Sequence, residues 1–425
     1  MIDRPELAVS SSGIVAIVVG ALLVVATLVD AFEVMLLPRR VRRRLRLVRG
    51  WFRATWNTWT GIADVMPVRR RSAWLALYGP LSMIGLFAAW AVALIVGFGL
   101  VHWALASISP EPHSLLHQLY FSGVTFFTLG YGDVTAPTGI GKIVSVLEAG
   151  IGFGLIAVVI GYLPVLYQLF SRREAHVIRL DARAGSPPTA GELLARHAVS
   201  AQGLTALGAL LADWEQWSSE LLESHLSYPM LGYYRSQHDN ESWLAALTTI
   251  LDACALVTIG LRVQDPAASG GGERSGRDAL TAAIPLFQAR ITFATARLTM
   301  IEMARALHVP VQASTDDGAP PRGDDCDDRL PPAVRSRLVA QLRSVHLVPE
   351  SDAADAWRAL AALRRSYEPH ASALAMRLRL PLPDWTPPRD AHDNWAEHAG
   401  GADARRIVEG AERDELAGVR ADGAR

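Results

Sequence analysis

The sequence predicts a membrane α-helical fold for about the first 170 residues and a mostly α-helical cytosolic fold for the rest, and three observations carry that division. Half of the 425 residues are hydrophobic, yet the long uncharged stretches all fall before residue 170. Charge divides at the same place: residues 1–170 hold 13 basic and 8 acidic side chains, a net of +5, whereas 171–425 hold 28 and 34, a net of −6. Between two apolar stretches, residues 38–71 carry eleven arginines against the single acid Asp64, the pattern of a cytoplasmic loop beside a membrane.

The first element is an apolar run from Gly13 to Val29 that continues past Asp30 and Glu33 to Leu37. A span needs about 20 residues, so a transmembrane helix is expected near 13–36, within a segment 1–37. Its two acids are expected at the inner end, beside the arginines that follow. Residues 1–12 set Asp3 and Glu6 against Arg4 and lack the positive start of a signal peptide.

The arginine-rich segment 38–72 puts Trp51, Phe52, Thr55, Trp56, Trp59 and Ile62 on one helical face. That pattern predicts an interfacial helix on the inner leaflet, with its arginines drawn to anionic lipid. Arg40, Arg43, Arg46 and Arg49 recur every third residue, but Arg39, Arg42 and Arg44 fill the gaps. With only one preceding helix to shield such charges, a voltage sensor is not predicted.

Ala73–Ala106 has no formal charge, and His102 is its only titratable group. It exceeds one span, with Pro80 near the point where it enters the membrane. A third span is expected at about 140–170, with Lys142 near its start and Glu148 further in. The intervening 107–139 has no Lys or Arg and includes Leu115–Phe127, which is too short to cross. The charge asymmetry therefore places the N-terminus and 107–139 outside a plasma (inner) membrane, and the C-terminal 255 residues in the cytoplasm.

Beyond residue 171 the pattern predicts a helical domain to 385, with helices near 189–224, 241–263, 277–307, 330–346 and 352–379. Pro187-Pro188, the Gly270-Gly271-Gly272 run and 314–325 read as turns or linkers, and 386–425 as a polar tail. Cys254 and Cys326 cannot build a disulfide framework. Tyr228–Trp243, with Tyr233, Tyr234, Arg235, His238, Asp239 and Asn240, reads either as a ligand or subunit contact or as a turn between helices. Asp324, Asp325, Asp327 and Asp328 lack the spacing and glycine of a calcium loop. A Gly-x-Gly-x-x-Gly turn after a strand is absent, so a Rossmann-like regulatory domain is not expected; no nucleophile–base pair stands out, so no enzyme is expected, and no nucleic-acid partner is expected either. The ligand of this domain is not legible.

The segment Tyr120-Phe121-Ser122-Gly123-Val124-Thr125-Phe126-Phe127-Thr128-Leu129-Gly130-Tyr131-Gly132-Asp133 carries the chemistry. A dehydrated K⁺ needs oxygen ligands in place of its water shell, and rings of backbone carbonyls supply them. Pointing successive carbonyls one way forces alternating backbone conformations, some left-handed, which glycine tolerates. The Thr128 hydroxyl would add an inner ring. A short helix at about 113–127 would aim its C-terminal partial charge at the cation, and a re-entrant loop between two spans is where irregular backbone is tolerated.

Residues 73–170 resemble the pore module of the prokaryotic two-transmembrane potassium channels, the ion-channel-2 family. The resemblance implies a tetrameric potassium-channel pore module with a re-entrant pore loop. K⁺ would be the transported ion, Thr128, Leu129, Gly130, Tyr131 and Gly132 the selectivity filter, and Asp133 a brace at the outer mouth. With one filter per chain, four identical subunits would be needed. The resemblance also implies a glycine hinge twenty residues past the last filter glycine, at Gly152, and a pore-facing row of Ile160, Pro164 and Gln168; Pro164 itself reads either as a kink near the inner gate or as a simple helix-end irregularity. Phe127 stands where the family often has Thr or Ser, and Leu129 where Val is commonest; the N-terminal helix is an addition. Glu148, an acid inside a span, is expected to brace the pore helix from behind. The function so implied is passive, K⁺-selective flux; the alternative is a non-conducting scaffold or sensor anchored by the pore fold.

Overall fold

The computed structural model describes residues 11–35, 47–106, 114–236, 241–263, 285–311, 328–349 and 353–388. The chain divides into two compact units, Met1–Leu169 and Phe170–Arg425.

Among the described residues, three helices are long and apolar enough to cross a membrane: α1 (Ser11–Met35), α3 (Val68–Ala106) and α5 (Gly139–Ala184), the last contributing its residues from 170 onward to the second unit. Helix α1 packs on α3 through glycines. A Cβ on Gly20 would lie 2.5 Å from the Gly97 carbonyl oxygen, and one on Gly97 would lie 2.7 Å from Val24 Cγ2. Small residues permit such backbone approach where lipid is as apolar as the side chains. Ile14, Val15, Val18, Leu22 and Val25 are exposed on α1. Asp30 does not merely mark the end of the span: the Trp90 indole of α3 donates to its Oδ2 at 3.0 Å, in a buried position. Residues 39–46, where most of the expected arginine neighbours fall, lie outside the described residues.

Helix α2 (Leu47–Val65) has a protein partner as well. Much of its aromatic face is covered by the start of α3 rather than left for lipid. Trp59 and Trp74 stack with centroids 4.1 Å apart, and each indole donates to the other residue's carbonyl, at 3.0 and 3.3 Å. Trp51 donates to the Ser82 carbonyl at 3.1 Å, and the Tyr78 hydroxyl bonds Phe52 O at 3.1 Å and Thr55 at 2.9 Å. Trp56 is buried, while Ile62 remains exposed. The hairpin is possible because α3 begins at Val68, ahead of the uncharged stretch. Arg71 there caps α2 by donating to Ala63 O and Asp64 O at 3.0 and 3.2 Å.

Helix α5 also outruns its expected end at 170. Apolarity stops there, but Arg173, Val177, Leu180 and Ala184 remain buried at helical spacing, so the helix continues as an amphipathic one.

The second unit is built around α8 (Trp243–Thr258), buried at every position from 243 to 257. A helix apolar all round belongs in a core. The expected helix 189–224 is split into α6 (Ala190–His197) and α7 (Ala201–Ser227), because Ser200 caps the second by accepting from Gly203 N at 3.0 Å. Gly203 leaves room for the His197 carbonyl, 2.4 Å from where its Cβ would sit. The polar aromatic segment works internally. Pro229–Tyr233 forms a 3₁₀ turn, and buried Arg173 donates to Leu231 O and Tyr234 O at 2.9 and 2.7 Å. Arg235 donates to Leu378 O and Arg379 O. Burial first, and then Arg173, hold His225 down to about 3. His238, Asp239 and Asn240 lie outside the described residues.

Helix α9 (Leu286–Ala306) binds α7 through threonines seven residues apart, Thr292 donating to Leu211 O and Thr299 to Ser218 O, both at 2.9 Å. Helix α10 (Pro332–Ser344) follows. The expected helix 352–379 is broken into α11 (Ala353–Arg365) and α12 (Glu368–Leu378), because Pro369 has no N–H to continue a helix. Helix α8 ends before the expected 263, and β1 (Leu261–Val263) pairs antiparallel with β2 (Leu347–Pro349). Of the acidic run, the described Asp328 pairs with Arg364 at 2.6 Å; Asp324, Asp325 and Asp327, the triple-glycine run, Cys326 and residues beyond 388 lie outside the described residues.

Candidate ion-conduction site

The site lies in the first unit, between α4 (Leu115–Phe126) and α5. Ser114 opens α4 by accepting from His117 N at 3.2 Å, a side-chain cap on an exposed backbone donor. The helix ends at Phe127, whose N–H reaches Gly123 O at 3.1 Å. The chain then turns back: Thr128 N bonds Thr125 O at 3.0 Å and Leu129 N bonds Val124 O at 2.9 Å.

From here the backbone alternates. Thr128, Gly130 and Gly132 have φ of 55, 61 and 77°, in the left-handed region, and Leu129 and Tyr131 between them do not. Left-handed backbone is uncommon for a threonine, so the strand is held out of ordinary extension at every second residue. Such alternation lets successive carbonyls share a direction, giving a row of oxygens suited to a bare cation. A Cβ on Gly130 or Gly132 would meet nothing within 4 Å; the need for glycine there is conformational and not steric. Leu129 and Tyr131 are 53 and 67% exposed in the single chain. Asp133 is tied back to α4, its Oδ2 accepting from the Tyr120 hydroxyl at 2.9 Å. Phe127 is half exposed and meets Phe126 edge to face, centroids 5.2 Å apart.

Phe126 seats the C-terminal end of α4. It is buried with Val24, Leu94 and Phe98, with Ile95, Val144, Ile151 and Leu155 packed around them. Gly152 belongs to this contact. A Cβ there would stand 2.2 Å from the Phe126 carbonyl oxygen. Its small size therefore has a packing cause, beside the hinge that the resemblance implies. A Cβ on Gly150 or Gly154 would meet nothing within 4 Å. Helix α5 stays helical through Pro164, and Ile160, Pro164 and Gln168 lie exposed along it, four residues apart, while Tyr162 is buried against Phe87.

Glu148 lies behind α4, fully buried. Its Oε1 contacts the Ser122 hydroxyl, and its Oε2 lies 2.9 Å from His102 Nε2. Sequence reasoning placed Glu148 near the pore helix but named neither partner. His102 was visible as the lone titratable group of its span, and Ser122 carried no signal, since serine is common on any helix.

The comparisons agree with this geometry. Residues 86–168 match the family described as ion channel. The chain is 24% identical over 195 residues to the uncharacterized membrane protein YdjJ of Bacillus subtilis, covering 45% of this chain and 56% of that one. It is 33% identical over 84 residues to protein LctB of Bacillus caldotenax and to that of Geobacillus stearothermophilus, covering 17% of this chain and 62% of theirs. The chain thus spans little more than half the length of these relatives. No solved structure matches it. Residues 86–168 are an ion-channel pore module of the two-transmembrane type, and the chain that carries it is a membrane protein.

Proposed function

We propose that this chain is a potassium-selective channel subunit, four copies of which enclose one pore for passive K⁺ flux. The observation that carries the reading is the left-handed alternation at Thr128, Gly130 and Gly132, within Thr-Leu-Gly-Tyr-Gly, between a pore helix and a spanning helix. One filter strand cannot surround an ion, so the pore requires identical subunits. Carbonyls of Thr128 to Tyr131 take the place of water around K⁺, and Asp133 with Tyr120 steadies the outer end. In this reading the N-terminus is outside the plasma membrane and the second unit is cytoplasmic, because the arginines of 38–71 stay inside, where they meet anionic lipid. Ile160, Pro164 and Gln168 line the inner passage. Purified protein in liposomes tests the reading: K⁺ efflux well above Na⁺ efflux, and a tetrameric mass in detergent, are expected. A stable monomer, or absence of flux from a tetramer, rejects it, the latter in favour of a non-conducting anchor for the second unit.

A further inference from the structure

The cluster behind the pore helix poses a proton-counting problem. The Ser122 hydroxyl lies 2.8 Å from the Ile95 carbonyl oxygen and in hydrogen-bond contact with Glu148 Oε1. A serine hydroxyl owns one proton and a backbone carbonyl owns none to give. If Glu148 were a carboxylate, both neighbours of Ser122 would be acceptors and one contact would be oxygen against oxygen with no hydrogen between. Both are satisfied when Glu148 carries its own proton and donates it to Ser122, leaving the Ser122 proton for Ile95. The remaining carboxyl oxygen, Oε2, then accepts from a neutral His102 through Nε2 at 2.9 Å.

Burial points the same way. Ser122 and Glu148 are 0% exposed and His102 is 2% exposed. An ion pair at such a place must recover the large cost of removing two charges from water, whereas a neutral chain has no such cost. The His102 ring also meets the apolar Phe121 ring in a T-shaped contact, centroids 5.0 Å apart.

We propose that His102, Glu148, Ser122 and the Ile95 carbonyl form one uncharged relay: His102 Nε2–H to Glu148, Glu148 O–H to Ser122, and Ser122 O–H to Ile95. The relay starts on α3, passes through α5 and α4, and returns to α3, so it fixes the pore helix to both spanning helices at once. Glu148 is thereby a positioning residue for the filter rather than a charge in the ion's path. The positioning role rests on the channel reading; the protonation state does not.

Infrared spectra of the full chain in lipid bilayers near neutral pH separate the two. The unmodified protein should show the carbonyl band of a hydrogen-bonded carboxylic acid, and Glu148→Gln should lose it. Because a side-chain amide can turn one of its two N–H donors to Ser122 and its oxygen to His102, Glu148→Gln should still assemble and conduct within about twofold of the unmodified chain. Ser122→Ala removes the acceptor and the second donor, and should lower flux about tenfold or reduce assembled yield to match. Loss of carboxylate bands instead of the acid band in Glu148→Gln would overturn the proposal. So would failure of Glu148→Gln to assemble, or a Ser122→Ala chain with unchanged yield and flux. Should the unmodified chain conduct nothing, the channel reading alone fails, and the acid band still decides the protonation state.

Discussion

Glu148 in the first unit and Asp252 in the second are both fully buried, and the two units handle them in opposite ways. Asp252 is met by an arginine: Arg329 Nη2 lies 2.5 Å from Oδ2 and Nη1 3.3 Å from Oδ1, and the Tyr367 hydroxyl also donates. Arg329 then reaches Glu368 at 3.1 Å and the Pro383 carbonyl at 2.8 Å, and lies over Trp385. Glu148 has only uncharged or weakly basic partners, a serine and a histidine. In the second unit the charge network runs from partly exposed Glu368 through Arg329 to buried Asp252. A unit whose outer face meets lipid has no such exposed end, and its buried polar groups must close on one another. The same acid type thus serves as an anchor for a cation in one unit and as a link in a hydrogen-bonded chain in the other.

The sharpest break of that comparison lies in the filter, where no charge is involved. Gly132→Ala should abolish selective K⁺ flux while shifting unfolding by only about 1–2 kcal/mol, the cost of a left-handed β-carbon. Flux and denaturation on one preparation read both, and retained K⁺ selectivity would remove the filter from the mechanism. Next in size is Arg329→Met, which leaves Asp252 buried without its cation. A loss of about 3–5 kcal/mol is expected in the denaturant-induced unfolding of the second unit, with much of it regained in the Arg329→Met, Asp252→Asn pair. An undiminished midpoint would mean that the buried charge is not what the arginine compensates.

Gly152→Ala should cost about 1–3 kcal/mol, because a methyl group must displace the Phe126 carbonyl. Gly154→Ala, with open space around it, should be neutral or gain up to about 1 kcal/mol in helix propensity. Equal behaviour of the two would restore bending, in place of packing, as the reason for the glycines.

The smallest effect concerns Glu241, whose carboxyl is pushed up to about 7 by burial first and then by Asp181 and Glu174. Between its ordinary value of 4.5 and about 7 the folded chain holds a proton that the unfolded chain has released. Stability from this group therefore falls as pH rises through that window. Glu241→Gln should raise the thermal midpoint near pH 8, by the equivalent of about 1–3 kcal/mol, and leave it unchanged near pH 4. A gain of the same size at both values would show that the carboxyl does not titrate there.

What was legible in the sequence follows from the range of the forces involved. The three spans are properties of contiguous composition, and the filter is contiguous too, so both could be read off a line of residues. The split at Ser200 was readable in principle, since a serine three residues before Gly203 is a cap signal, but the apolar periodicity on either side outweighed it. The aromatic face of α2 was seen, and its covering was not, because periodicity reveals that a face is buried without naming what buries it. Gly152 shows the same limit: its place in the sequence does not reveal the Phe126 carbonyl that lies over it. Arg329 and Asp252, 77 residues apart, carry no local mark at all.

The seam between α1 and α3 has a consequence in time. Trp90 follows Asp30 by 60 residues, so at ordinary elongation rates the indole leaves the ribosome about 3–12 seconds after the carboxyl group it will meet. During that interval α1 has neither its Trp90 hydrogen bond nor the Gly97 backbone against which Gly20 will rest. The first helix must therefore be threaded on hydrophobicity alone and wait for its seat, and its final rotation about its own axis is chosen only when the third helix arrives.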